Sequence, residues 1–486
     1  MLFNSYIFIL VFLPLTLILY FGLHHFGRKK QAQAVLVLLS LWFYGYLNPS
    51  FIPVIIASIL INFGVSRLVL PERREEKVRK AILAGGIVLN VAALFYVKYF
   101  SFVVQNLNVL FRKNFELGNI LLPLGISFFT FQQIAYLVDS YRGETADITF
   151  LEYAVFVTYF PKLVEGPIVL HGEIIPQLRA EKNDKPDSYN LSRGLHIFAV
   201  GLFKKMLLAD TFGTMVTLGF GGVDILSSMD VLLVMFAYTF QLYFDFSGYC
   251  DMAVGISCML NIHLPINFNS PYKAMSILEF WDRWHITLTR FLRNYLYFPL
   301  GGSRKGKVRT YVNVMIVFLV SGLWHGANWT FVVWGALHGI AEVLTRIFKG
   351  TWEKLHPAFQ WMATFLFVSA AWLIFRADSL GQALILFRKL ISVESLTITP
   401  MMLEGLTIPE IAHLEKLLHL DGLIAKISGF HVWAMFGIAL FVVLNTRNCY
   451  EKEFKCNIRT ALATVVMLVW PVISLTGVST FLYANF

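Results

Sequence analysis

Polar residues come along this chain in widely spaced clusters. Between them run segments that are apolar on every side of a helix. These segments lie near 5–23, 33–48, 50–70, 81–105, 117–138, 149–164, 195–219, 229–262, 311–324, 328–345, 358–376, 432–446 and 461–482. A helix that is apolar all round must be buried or set in lipid, and a bilayer core takes about 20 apolar residues. Several segments are too short, too long or too polar for a simple crossing. The pattern predicts an all-α polytopic membrane protein with about ten to twelve transmembrane helices plus re-entrant or interfacial helices. No internal repeat interrupts it, so residues 1–486 read as a single membrane-embedded domain.

Composition agrees with the pattern. The chain is 57% hydrophobic and 14% charged, against about 25% charged for a soluble protein. Its net charge of +10 sits in the clusters Arg28–Lys30, 71–80, Ser303–Arg309 and Arg447–Arg459. Basic residues scattered between spans mark cytoplasmic loops rather than a nucleic-acid surface, so no nucleic-acid partner is expected. The partner expected from composition is membrane lipid. This reading places the N-terminus and Phe486 outside. The first segment is long and has neither a basic leader nor a small-residue cleavage site, so it is expected to be a retained helix.

Cys250, Cys258, Cys449 and Cys456 form no Cys-x-x-Cys motif and read as structural thiols, and no metal-ligand spacing appears. The stretch 173–193 reads as a polar, mixed-charge loop. Residues 378–430 read as an amphipathic insertion on the outer side, broken by Pro400 and Pro409.

The chemistry-bearing signal is Ser321-Gly322-Leu323-Trp324-His325-Gly326-Ala327-Asn328-Trp329. It sets one imidazole between two apolar segments, with glycines that allow a turn or a close approach. A titratable group at membrane depth is a functional candidate. His325 follows the anchor Lys307 by roughly 27 Å of helix at about 1.5 Å per residue, which puts it at mid-depth or in the outer half. A neutral imidazole can take a proton from a hydroxyl and return it to a leaving group. Asn328 and Trp329 carry N–H donors suited to an acyl oxygen. The plain alternative is a histidine that bridges two helices.

His285 lies in Phe280-Trp281-Asp282-Arg283-Trp284-His285, an aromatic segment suited to a membrane interface. At i−3 and i+4, Asp282 and Thr289 share a helix face with His285, and Asp282 can orient the imidazole. Gln241 and Asp245 share a helix face within Tyr238–Asp251. Intramembrane carboxylates either pair or line a cavity, and Arg283, Arg290 and Arg293 are the obvious partners. Pro123–Gln132 begins a helix with Pro, Gly and small polar residues. Tyr159–Ile168 reads either as a broken helix beside a cavity or as a Pro-terminated helix.

Taken together and in this order, these segments resemble the membrane-bound O-acyltransferase (MBOAT) family, and most closely its bacterial alginate and polysaccharide O-acetyltransferase branch. The resemblance runs over the whole chain. It is strongest at Pro123–Gln132, Tyr159–Pro167, Gly201–Lys205, Tyr238–Asp251, Asn267–Tyr272, Trp281–Gly302 and Ser321–Trp329. It implies an MBOAT-like helical fold around a central tunnel with a thin waist, in a bacterial inner membrane. It implies His325 as the essential catalytic residue and His285 as its partner, which positions or polarises the thioester. Asn328, Asp245, Gln241, Arg293 and Asp282 stand as supporting candidates.

The implied activity moves an acyl group, acetyl first, from a cytoplasmic thioester to a hydroxyl of an exported polysaccharide or partner protein. Acetyl-CoA or an acyl-carrier protein is the implied donor, and no permanently bound cofactor or metal is expected. An extracytoplasmic acetyltransferase or glycan is the implied acceptor partner. D-alanyl transfer to teichoic acid is the alternative within the family. A transporter with a histidine proton relay is the alternative outside it, weakened by the missing repeat.

Overall fold

The computed structural model describes residues 1–71, 74–115, 118, 121–406, 429–451, 453–474 and 481–482. Arg73, the stretch 407–428 with Pro409, and Phe486 lie outside the described residues, and with them three of the expectations above. Among the described residues all regular structure is helical. Six of the helices among the described residues are long and apolar enough to cross a membrane: Phe8–His25, Phe51–Leu68, Glu76–Phe111, Ser228–Met259, Lys307–His325 and Pro357–Arg376. Phe430–Asn445 and Ile458–Ile473 are shorter apolar helices. Other apolar segments of the sequence, such as Lys29–Gly45 and Ile126–Tyr141, form helices of 17 and 16 residues.

The 32-residue helix Ser228–Met259 is the axis of the fold and is buried along most of its length. It starts at a capping box, with the Ser227 hydroxyl accepting from Asp230 N and the Asp230 carboxylate accepting from Ser227 N. Its closest neighbour is Ser188–Phe203. Gly194 and Gly201 on that helix face Gly255 and Gly248 on the axis. A Cβ on Gly194 would lie 2.6 Å from the Gly255 oxygen, and one on Gly201 would lie 2.5 Å from the Gly248 oxygen. Two glycines seven residues apart on each helix thus form a seam of backbone contact, the small-residue packing of membrane helices.

Around this pair the helices are short and interrupted. Phe150–Thr158 stops at Tyr159, Phe160–Leu163 adds one turn, and Ile277–Arg283 gives way to Ile286–Leu292. The stretch expected as a polar loop holds a helix, His171–Arg179. It forms because Glu173 caps its first turn by accepting from Leu170 N at 2.8 Å. Glu173 also takes Arg290, and Arg179 takes Glu152. Of the 378–430 insertion, the described residues 378–406 dock onto the axis helix: Leu380–Ser392 buries Ala383 and Leu386, and Thr399 N donates to Asp230.

Candidate active site

The helix Lys307–His325 ends on the imidazole-bearing residue itself. Gly326 is extended, and Asn328 caps the next helix, Trp329–Ile347, by accepting from Thr330 N at 3.2 Å. The flanking glycines act through close approach. A Cβ on Gly322 would lie 2.3 Å from the Phe331 oxygen, and one on Gly326 would lie 2.0 Å from the Phe331 ring. The two helices therefore meet backbone to backbone, and His325 is fixed at their turn.

A helix end leaves carbonyls without intrahelical partners. Here two residues of a π-helical turn, Phe95–Tyr99, supply the donors. Tyr99 Oη donates to the Leu323 oxygen at 2.8 Å, and Lys98 Nζ donates to the oxygens of Trp324 and His325 at 2.7 and 3.0 Å. Sequence reasoning missed Lys98. The signal was present, since Lys98 is the sole charged residue between Ala81 and Phe111.

His285 is not inside a helix. It takes the left-handed conformation, φ 46° and ψ 50°, between Ile277–Arg283 and Ile286–Leu292. The face shared with Asp282 and Thr289 therefore does not exist. Asp282 instead pairs with Arg293 at 3.4 Å on an exposed surface. The partner of His285 is Asn267, whose Oδ1 lies 3.2 Å from Nδ1. The same Oδ1 accepts from Thr287 N and Oγ1 at 3.2 and 2.9 Å, which fixes it as the acceptor. Nδ1 of His285 thus carries the proton, and Nε2 presents its lone pair. Nε2 has no hydrogen-bond partner among the described residues.

The two imidazole rings lie 6.4 Å apart, centroid to centroid, and both are buried. Trp324 touches both rings, Phe246 flanks His285, and Trp334 and Phe375 flank His325. A cavity of about 50 Å³ adjoins His325 and is bounded by Lys98, Ser127, Glu165 and Trp324. The Pro123–Gln132 motif and the broken helix near Tyr159–Ile168 both reach it, and they are tied together by a Lys162–Gln132 hydrogen bond. The broken-helix reading of Tyr159–Ile168 holds, because Tyr159 leaves helical geometry and Glu165 emerges at the cavity. A second cavity, about 550 Å³, runs along the Lys307–His325 helix from Ser303 and Arg293 to Ser321, about one turn before His325.

The other candidates fall elsewhere. Asp245 pairs with Lys205 at 2.7 Å and accepts from Leu482 N at 3.0 Å. Asp251 pairs with Lys204 at 2.6 Å. The expected arginine partners are taken, because Arg283 holds Glu279 and Arg290 holds Glu173. Gln241 packs against Gly213. Asn328 Nδ2 donates to the Asp378 oxygen and Trp329 Nε1 to Asn106, so those N–H groups are directed away from an acyl group at His325. Asp139, Glu144 and His171 bring three metal-ligand-type atoms within 4.8 Å of one another. The Asp139 carboxylate there accepts from Tyr295 and Arg142, which makes the cluster an ion-pair hub.

The sequence profile of MBOAT, membrane-bound O-acyltransferase family, matches residues 120–378, which contain both histidines and most of the cavity. A peptidoglycan O-acetyltransferase of Helicobacter pylori is 37% identical over 100% of this chain and 98% of its own length. A probable alginate O-acetylase AlgI of Pseudomonas aeruginosa is 36% identical over 79% of this chain and 73% of its own. A teichoic acid D-alanyltransferase of Lacticaseibacillus rhamnosus is 29% identical over 53% of this chain and 67% of its own.

Proposed function

This chain belongs to the membrane-bound O-acyltransferase family, and from that premise we propose that it carries an acetyl group from a cytoplasmic thioester to a hydroxyl of a cell-envelope polysaccharide outside. The observation that carries the reading is the pair His325–His285, 6.4 Å apart in an apolar, aromatic surround beside a small polar cavity. Likeness over the full length to a polysaccharide O-acetyltransferase favours acetyl and a glycan acceptor. Likeness to a D-alanyltransferase covers about half the chain and is weaker support for that donor.

In the reaction, the acceptor oxygen attacks the thioester carbonyl carbon and its proton passes to the His325 imidazole. The C–S bond breaks, the new ester C–O bond remains, and the imidazolium returns the proton to the leaving thiolate. His285 takes a role that follows from its tautomer. Polarising a carbonyl needs an N–H, and the N–H of His285 faces Asn267. Its Nε2 is an acceptor, so it orients a second, non-reacting N–H or O–H of a substrate, while the attacking hydroxyl gives its proton to His325. The cavity between Ser303 and Ser321 suits a pantetheine-like arm arriving from the basic-loop side. The 50 Å³ chamber accommodates an acyl group but not a nucleotide.

The test uses the purified chain in sealed vesicles. Radiolabelled acetyl-CoA or acetyl-carrier protein is supplied on the face bearing the Arg304–Arg309 loop, and a soluble glycan on the other. Ester-linked label on the glycan is expected, and it should vanish with His325→Ala. Absence of transfer from any thioester, or full activity with donor supplied only on the glycan side, overturns the proposal.

A further inference from the structure

A cavity of about 710 Å³ lies apart from the histidines, between the helices Ser188–Phe203, Phe430–Asn445 and Ile458–Ile473. Its walls are apolar and include Val200, Phe203, Ile438, Val442, Ala463 and Met467. Its rim is basic, with Arg193, Arg447, Lys455 and Arg459 set against one carboxylate, Glu453. We infer that this cavity is a binding site for an anionic phospholipid of the leaflet facing the basic loops, with the headgroup phosphate among these four cations and the acyl chains along the apolar walls.

Three features carry the assignment. Other arginines of the chain, such as Arg179, Arg290 and Arg346, each hold a glutamate. None of the four rim cations forms an ion pair within the described residues. A general excess of basic residues in cytoplasmic loops explains that such cations are present. It does not explain why four of them converge, without carboxylate partners, on one cavity between membrane helices.

The segment Thr446–Tyr450, which carries Arg447, is also held in place. Lys273 Nζ donates to the Thr446 oxygen at 2.9 Å, Asn448 Nδ2 to the Phe268 oxygen at 2.8 Å, and Tyr450 Oη to Asp251 at 2.8 Å. His196 Nδ1 lies 2.7 Å from Thr464 Oγ1 and ties the Ile458–Ile473 helix to Ser188–Phe203. A rim set in advance loses little freedom on binding.

The third feature selects the ligand. A soluble phosphate needs only the rim. The apolar walls and the outward-facing Leu462 and Val465 of the adjacent helix place the cavity at the edge of the protein, open to the bilayer. Basic pockets between membrane helices on the cytoplasmic side are the recurring sites for acidic headgroups.

The experiment is native mass spectrometry of the full chain released from vesicles holding equal phosphatidylglycerol and phosphatidylcholine. Preferential retention of phosphatidylglycerol is expected. The double variant Arg447→Gln/Arg459→Gln should lower that retention by about fivefold per arginine, from the typical contribution of a basic residue at a lipid surface. Arg309→Gln, a basic-loop change outside the cavity, should leave it unchanged. Monodispersity on size exclusion shows that the variants fold. Equal retention of the two lipids, or a double variant equal to wild type, overturns the inference. Displacement of the lipid by coenzyme A or by inorganic phosphate also overturns it, by assigning the rim to the acyl donor or to a soluble anion. None of these outcomes depends on the acyl-transfer reading.

Discussion

Lys98 Nζ donates a hydrogen bond to the main-chain oxygen of His325 at 3.0 Å, across 227 positions of sequence. The contact joins the one charged residue of the apolar stretch Ala81–Phe111 to the end of the helix that carries the candidate base. A cation at a helix C-terminus is favoured by the helix dipole. Here it also satisfies carbonyls that the extended Gly326 leaves open. Lys98→Met should remove that support while preserving bulk. The expected result is a fall in kcat of about tenfold to a hundredfold, the scale of a reacting group displaced by about 1 Å. KM for the donor should hardly move, because Lys98 fixes the histidine rather than the distant part of the donor. Steady-state kinetics in vesicles check this, and a rise in KM with kcat intact would count against it.

His325→Ala should abolish transfer while the protein still folds and inserts. General-base loss costs about 10²–10⁴-fold in rate. Turnover above about a tenth of wild type would sink the assignment of the base.

Asn267 should act through His285. Asn267→Ala frees the imidazole to adopt the other tautomer and should slow transfer by about tenfold or more, a typical cost of losing an orienting partner. The decisive measurement is a double-mutant cycle. The pair Asn267→Ala/His285→Ala should be no slower than His285→Ala alone, because coupled residues are not additive. Full additivity would show that Asn267 serves something else.

The glycine seam should govern stability. Gly201→Ala forces a Cβ to within 2.5 Å of the Gly248 oxygen and should destabilise by about 1–3 kcal/mol. Gly64→Ala is the control, because its Cβ meets nothing within 4 Å, and helix propensity favours alanine by about 1 kcal/mol. Thermal melting in detergent separates the two, and equal Tm values would contradict the seam.

Orientation follows from the basic loops. Single cysteines placed in the Arg304–Arg309 loop, in a background lacking the four natural cysteines, should react with an impermeant thiol reagent only after the cells are permeabilised. Labelling in intact cells would invert the topology and the proposed direction of transfer.

What the linear order of residues determines here is the class of structure and the place of one histidine at a turn between two apolar segments. All-round apolar segments force helices into lipid, because no backbone group there can be left without a partner. A Gly-flanked imidazole between two such segments can only sit at a turn, and His325 sits there. Tertiary structure decided the partners. Unbroken helical periodicity would set Asp282 beside His285, but the backbone leaves the helix at Trp284. Asp245 read as paired with a nearby arginine, whereas Lys205 reaches it from a neighbouring helix. Lys98, Asn267 and Glu165 join the site from segments distant in sequence. Hydrophobic periodicity reports which face of a helix is apolar, but a buried polar group finds its partner by proximity in space, and helix packing alone sets that proximity.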